Sequence, residues 1–315
     1  MKCFLGIDTS CYTTSVAIVD EKQHVVADAR TFLHVPAGER GLSQSEGVYQ
    51  HVRNIPTLLE QVFAAKPAPL TLAAVAVSAF PRDVEGSYMP VFKVGETVGA
   101  SIATAAGIPL FRTAHQHNHI LSGSWSAGGP VSPEFLNLHL SGGTTELHHI
   151  SNYRNLKLLG GTKDLHAGQF VDRVGVALGL HFPAGAALEQ LALQAVKCES
   201  LIPSATHAFQ MSFSGPETAA QRLIKQQYAQ EEIAFAVFSC IAKSVEKVLR
   251  RAIEMTGLKE ILVVGGVASN SLIRTILQKR LTHQAVGARL YFAEPQYSRD
   301  NAVGTALYAR YQYAE

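Results

Sequence analysis

Three histidines stand at alternate positions in the stretch "TAHQHNHI" (113–120): His115, His117 and His119. In a strand all three imidazoles would share one face. In a helix His115 and His119 share a face and His117 points away. A histidine pair four residues apart on a helix can grip one first-row metal ion, but such a site needs at least one further ligand. Three polar turns offer a second kind of chemistry. "LSGGTTEL" (140–147) carries Leu140, Ser141, Gly142, Gly143 and Thr144; its backbone N–H groups and hydroxyls suit phosphate oxygens, and its glycines let a ligand approach without Cβ obstruction. "GIDTSCYTTS" (6–15), with Asp8, Ser10 and Thr13, is a related turn. "VVGGVASN" (263–270) runs an apolar strand into Gly265 and Gly266 ahead of a helix, where open α/β sheets place a nucleotide. Each turn alone also reads as an ordinary hairpin or packing turn. Three in one chain point towards a nucleotide.

The elements that must position these groups alternate between strand and helix, which implies an α/β fold. "FLGIDTSCYTTSVAIVD" (4–20) reads strand, turn, strand, and "VVADARTFL" (25–33) continues the meander. "LAAVAVSAF" is a buried strand, and "GETVGASIATAAGIP" a small-residue helix closed by Gly107 and Pro109. Later segments predict a helix in "GQFVDRVGVALGL", a turn in "HFPAGAALEQLA", a long helix within 231–256, a last strand at "ARLYFAEP" and a last helix in "SRDNAVGTALYARYQ". At 315 residues two lobes are expected, and the Gly/Pro/Ser-rich stretch 124–134 is the candidate boundary. Immediately after it "FLNLHLSGGTTELHHIS" (135–151) repeats the first hairpin at an offset of 131, aligning Ser10 with Ser141, Thr13 with Thr144 and Thr14 with Thr145. That offset hints at two copies of one architecture.

Composition excludes several classes. With 47% hydrophobic and 17% charged residues the chain suits a packed globular protein rather than a disordered one. The four cysteines, Cys3, Cys11, Cys198 and Cys240, form no CxxC pair, which argues against a thiolate zinc site or disulfide framework and fits a reducing cytoplasm. The opening "MKCFLGIDTS" reads as a first strand rather than a signal peptide, and the apolar stretch 70–80 is too short to span a bilayer, so no membrane is expected. The formal net charge of +2 neither demands nor excludes nucleic acid. The charged segment 243–251 reads as solvated surface, with Arg250 and Arg251 able to touch RNA phosphate, and His117 reads as solvent-facing. Cys3 and Cys11 read as packing residues. No role is assigned to His139, His148 or His149.

Taken in order, these motifs resemble the tRNA threonylcarbamoyltransferase (TsaD) family of actin/Hsp70/sugar-kinase-like (ASKHA) proteins, once misnamed O-sialoglycoprotein endopeptidases. The resemblance rests on "GIDTSC" (6–11), "HQHNH", "LSGGTTEL", "HAGQFVDRVGVALGLHFPAG" (166–185), "MSFSG" (211–215), "GGVASN" (265–270) and "YSRDNA" (297–302), and it runs nearly end to end. It implies a helical "HQHNH" and two duplicated lobes with a nucleotide cleft between them. Residues 1–128 would form the N-terminal lobe, closed by a C-terminal helix over 299–315, and 129–298 the C-terminal lobe. It implies one divalent metal, iron or zinc, held by His115, His119 and Asp300. Phosphate contacts would come from the 140–144 loop, and nucleoside contacts of ATP, AMP or threonylcarbamoyl-AMP from Asp172, Gly185 and Asn270. Asp8, Ser10, Thr13, Asp164 and Gly168 are accessory candidates. The implied reaction moves a threonylcarbamoyl group from its AMP anhydride to N6 of the adenosine beside the anticodon in tRNA, with a homologous TsaB-like subunit and a TsaE-like ATPase as possible partners.

The chain departs from the family at positions that could handle protons. Tyr12 and Thr13 stand for an acidic pair, Thr144 for a histidine, Leu165 for a second carboxylate beside Asp164, and Gln169 for a glutamate. A longer, charged "FPRDVEGSYMPVFK" (80–93) replaces the family's G-P-G-L loop. General acid–base assistance is worth about 10²–10⁴ in rate. Its loss raises a second reading, a non-catalytic or repurposed paralogue that binds nucleotide and metal. A metallopeptidase is disfavoured, because Gln116 follows the first histidine where a zinc protease carries its glutamate.

Overall fold

The polar turn after Asp8 is a hairpin turn. β1 (Lys2–Asp8) and β2 (Thr13–Asp20) pair antiparallel, and β3 (Val25–Phe32) adds antiparallel to β2. Then follow α1 (Gln44–Ala64), β4 (Thr71–Phe80), α2 (Phe92–Ala106), β5 (Leu110–Ala114) and α3 (His115–Ala127). The computed structural model describes residues 1–10, 12–36, 42–65, 70–153 and 155–314, so Cys11 lies outside the described residues. Ser43 starts α1, its hydroxyl accepting from the Glu46 N–H as an N-cap should. The sheet order is β3-β2-β1-β4-β5, with β1, β4 and β5 parallel.

The rest of the chain builds a second unit from β6 (Glu134–Leu140), β7 (Thr145–Ser151), β8 (Asn155–Thr162), α4 (Ala167–Ala177), α5 (Gly185–Ala192), β9 (Ala205–His207), β10 (Gln210–Ser212), α6 (Ser214–Lys225), α7 (Gln230–Thr256), β11 (Glu260–Val264), α8 (Ser271–Leu281), β12 (Arg289–Phe292) and α9 (Pro295–Ser298). The run β8-β7-β6-β11-β12 repeats the order and the strand senses of β3-β2-β1-β4-β5, and β10-β9 extend it at one edge. The duplication hinted at by one hairpin therefore covers five strands. α7 is the spine of this unit's core: Val237, Ile241, Val245 and Leu249, four residues apart along one side of the helix, are all buried.

α10 (Val303–Ala314) returns to the first sheet, so one compact unit holds Met1–Ser126 with Arg299–Glu315 and the other Ala127–Ser298. Strand alternation decides what each face of β1 meets. Leu5 and Ile7 join a core with Ile55 and Leu58 of α1 and Val94 of α2. Gly6 faces α10, where a Cβ would lie 2.4 Å from the Ala302 carbonyl and the Ala306 nitrogen. Asp8 falls on that same α10 face. Among the described residues no helix is long and apolar enough to cross a membrane.

Three expectations are corrected here. "HFPAGAALEQLA" is not only a turn, because Gly185 opens the helix α5. Segment 243–251 is only half solvated: Ser244, Val245, Glu246, Val248 and Leu249 are buried, leaving Lys247 and Arg251 outward. His117 is buried rather than solvent-facing. Its ring stacks on Tyr308 of α10 at 6.4 Å and its Nδ1 lies 3.2 Å from the Thr113 hydroxyl.

Candidate functional site

β5 gives way directly to α3 at His115, so the two outer histidines occupy successive turns of one helix face. Their Nε2 atoms are 3.1 Å apart, and Asp300 Oδ1 lies 3.5 Å from that of His115 and 3.3 Å from that of His119. Metal–ligand bonds of about 2.0–2.1 Å in a tetrahedral site put neighbouring donor atoms roughly 3.3 Å apart. The triangle has that size, and two imidazoles with one carboxylate are the donor set of a divalent first-row ion. Asp300 is aimed by its own turn. Asn301 Oδ1 accepts from the Val303 N–H at the start of α10, and Asn301 Nδ2 donates to the Arg299 carbonyl.

Behind the triangle sits Asp8, fully buried at the end of β1. Its Oδ2 lies 2.9 Å from His115 Nδ1 and accepts from the Ser78 hydroxyl and from Asn118 Nδ2, while its Oδ1 accepts from the Ser10 N–H. Asn118 also bridges to α10, donating to the Asn301 carbonyl and accepting from the Thr305 N–H. Asp8 therefore closes the Ser/Thr turn and holds Nδ1 of His115 so that Nε2 faces the triangle. Burial alone would depress the His115 imidazolium, but the charges of Asp8 and Asp300 override it and hold its pKa well above the usual value. Burial would likewise raise the two carboxyls, yet the histidines facing them keep both below the ordinary carboxylate range. Asp8→Asn is expected to weaken metal retention about 10–100-fold, the usual effect of losing such a supporting carboxylate. Titration against a chelator measures it. An unchanged affinity would remove Asp8 from this role.

In the second unit the 140–144 loop is fixed by its neighbours. The Ser141 N–H donates to the Thr144 carbonyl, the Gly168 N–H to the Ser141 carbonyl, and the Ala167 N–H to the Thr145 hydroxyl. A Cβ at Gly168 would sit 2.6 Å from Gly142 Cα, and one at Gly265 only 2.2 Å from the Leu140 carbonyl oxygen. At Gly142 and Gly143 a Cβ would meet nothing within 4 Å. The steric need for glycine thus lies in the loop's supports, while its tip faces open space.

Asp172 accepts from the Ala184 N–H, tying α4 to the turn before Gly185; burial raises its pKa. Asn270 caps α8, its Oδ1 accepting from the Ile273 N–H, while its buried Nδ2 meets no acceptor among the described residues. Gly266 is exposed with open space around it, and Thr13 is buried on β2. The buried Ser10 hydroxyl, like Asn270 Nδ2, meets no partner among the described residues. His115, His119, Asp300 and Asp8 belong to the first unit and the loop, Asp172, Gly185 and Asn270 to the second.

Asp164 is a clamp. Its Oδ1 accepts from the Thr162 hydroxyl and the Leu165 and Phe213 N–H groups, and its Oδ2 from both the N–H and hydroxyl of Ser214 and from the Ser212 hydroxyl. Burial pulls its pKa up, but the Ser212 and Ser214 bonds with the others outweigh it and leave it far below the usual value. A depressed carboxyl stabilises the fold above its unfolded pKa, about 3.9, and that contribution disappears as pH falls through the folded value. Wild type should therefore melt higher than Asp164→Asn near neutrality, with the gap closing in acid. A gap independent of pH would mean the charge does not matter. "MSFSG" and Asp164 are thus one structural unit, which no local spacing pattern could have linked.

The departures have structural roles. Leu165 is buried in the apolar core, and Gln169 accepts from the His166 N–H, doing the helix-start job a glutamate does. The 80–93 loop is tied back to α3: the Gln116 N–H donates to the Pro81 carbonyl, and Phe92 meets His115 edge-on at 6.2 Å. Ser78, Asn118, Asn301 and Thr305 were not singled out from the sequence. Asn118 and Asn301 each adjoin a ligand, and that adjacency is the only signal they gave.

The chain is similar to a known family and to several solved structures. The model of the family described as TsaD, tRNA N6-adenosine threonylcarbamoyltransferase, matches residues 34–307. Component A of (R)-2-hydroxyglutaryl-CoA dehydratase from Acidaminococcus fermentans is similar in structure, with a TM-score of 0.59 at 17% identity, covering 100% of both chains. A ROK-family glucokinase from Streptomyces griseus, in complex with glucose and AMPPNP, gives 0.54 at 13% identity over 98% of this chain and 99% of that one. HypF of T. kodakarensis gives 0.64 at 12% identity over 99% of this chain and 48% of its own. At these identities the likeness is one of fold, and the fold is the actin/Hsp70/sugar-kinase-like one.

Proposed function

Because the chain belongs to the tRNA N6-adenosine threonylcarbamoyltransferase family, we propose that it transfers a threonylcarbamoyl group from threonylcarbamoyl-AMP to N6 of the adenosine beside the anticodon. The observation that carries this reading is the metal-sized triangle of His115, His119 and Asp300 with Asp8 behind it. His115 and His119 would hold the ion through Nε2 and Asp300 through Oδ1. A bound divalent ion supplies Lewis acidity there, polarising a carbonyl or steadying charge on oxygen; iron and zinc both suit the donor set.

In the transfer, the N6 amine attacks the acyl carbon, the bond from that carbon to the phosphate oxygen breaks, AMP departs, and the amine loses one proton. AMP is already a good leaving group, so no protein nucleophile is needed. Burial pushes the Cys240 thiol up to about 12, which makes it inert as one. The Gly142 and Gly143 backbone would meet phosphate oxygens at the open loop tip. Asn270 Nδ2 has a donor to spare for the nucleoside, and Asp172 sets the turn before Gly185. Thr13, Thr144 and Leu165 offer no base for the proton lost by N6, which would pass to the departing phosphate or to solvent.

The second reading, a repurposed adenylate-binding paralogue, is favoured by the burial of Leu165 in the core, which removes one family carboxylate outright. AMP release separates the two. Full-length protein with TsaB-like and TsaE-like partners is given threonylcarbamoyl-AMP, then unmodified tRNA. Release that accelerates on adding tRNA supports the transferase. Adenylate binding with no tRNA-dependent release leaves the paralogue.

A further inference from the structure

A groove of about 660 Å³ lies in the second unit between the outer face of α7 and the β9–β10 hairpin. Its helix wall carries Lys247, Arg250, Arg251 and Glu254, spaced so that they share one face over two turns. Glu246 is held between Arg250 at 2.8 Å and Arg280 at 3.3 Å, so one carboxylate answers two guanidiniums. The residues lining the groove include three cations, Lys247, Arg250 and Arg251, against one carboxylate, Glu254.

The opposite wall is aromatic and pinned. Arg251 lies over the Phe209 ring at 5.9 Å. Phe209 is fixed by its backbone: its carbonyl accepts from the Gly161 N–H, and a Cβ at Gly160 would fall 2.1 Å from that carbonyl oxygen. Ala208 beside it holds a left-handed φ of 52°. A preformed wall loses little entropy on binding. Arginine laid on an aromatic face keeps a fork of N–H donors for phosphate, and Lys247 supplies a point charge one turn away.

We propose that this groove is a docking surface for the phosphate backbone of the RNA substrate. The charge pattern calls for a polyanion; its identity as tRNA rests on the function proposed above. The groove carries no base-reading constellation, so it would add affinity without sequence preference.

Binding of an unmodified tRNA transcript is measured across a salt series for wild type, Lys247→Ala/Arg251→Ala and Glu254→Lys. Each lost cation should lower the slope of log affinity against log salt by about one, and the double variant should bind about tenfold or more weakly near 0.15 M salt. Glu254→Lys should bind more tightly. Both variants should keep wild-type metal content and adenylate affinity, which shows the fold intact. An unchanged slope and affinity in the double variant, or no tRNA binding by wild type, would overturn the proposal. Loss of transfer with groove-dependent tRNA binding retained would count against the transferase and leave the groove standing. Intact transfer with an unchanged double variant would do the reverse.

Discussion

Asp300→Ala is expected to strip the protein of its metal and, with it, of transfer. The triangle has three corners, two of them on one helix. Without Asp300 only a histidine pair remains, which does not hold a first-row ion firmly. Loss of a merely supporting residue costs about 10–100-fold in metal affinity or activity; loss of a ligand should cost at least about 10²-fold in both. The fold should survive, because the turn is held by Asn301 and by Arg30, whose guanidinium donates to the Asp300 carbonyl rather than to its side chain. Metal analysis of the purified variant, beside its melting temperature, separates the effects. Full metal retention would show that the triangle is not the binding site.

Gly265→Ala should give a large stability loss and disturb the 140–144 loop. Gly265 has φ +101°, a conformation that L side chains rarely adopt, and its added Cβ would fall 2.2 Å from the Leu140 carbonyl oxygen. The strain costs about 1–3 kcal/mol, and displacing Leu140 moves the loop that starts there, so a total near 3 kcal/mol is expected, within the range of severe single substitutions. Adenylate affinity should fall about tenfold or more. Gly143→Ala is the contrast: nothing lies within 4 Å of the new Cβ, so stability should stay within about 0.5 kcal/mol of wild type. If the loop tip receives phosphate, adenylate affinity should still drop. Denaturant unfolding and calorimetric titration measure both pairs of quantities. A Gly265→Ala protein as stable as wild type would contradict the packing argument.

Periodicity made most of the architecture readable. The strands of the two hairpins, the long α7 and the glycine turn before α8 all announce themselves through apolar spacing and turn residues. The three-residue strands β9 and β10 are too short to show a period, and α6 was not anticipated. The histidine spacing raised the metal question but could not choose helix over strand; that choice, like Asp300 as third ligand, came with the family resemblance. His117 was misread because the face it covers is decided by Tyr308, far along the chain on α10. Asp8 was ambiguous for the same reason: a buried carboxylate's role depends on which side chains converge on it, and Ser78 comes from β4 while His115 and Asn118 come from α3. Asp164 read as a surviving family carboxylate with an accessory role, yet six hydrogen bonds from Thr162, Leu165 and the 212–214 turn occupy it.

The nucleosides of treated tRNA test the central claim most directly. Metal-loaded protein with its partner subunits is incubated with threonylcarbamoyl-AMP and unmodified tRNA, the RNA is digested, and its nucleosides are weighed by mass spectrometry. Threonylcarbamoyladenosine should form with wild type and be absent with Asp300→Ala. Its absence with wild-type protein that holds metal and binds adenylate would contradict the transferase and leave a repurposed member of the family.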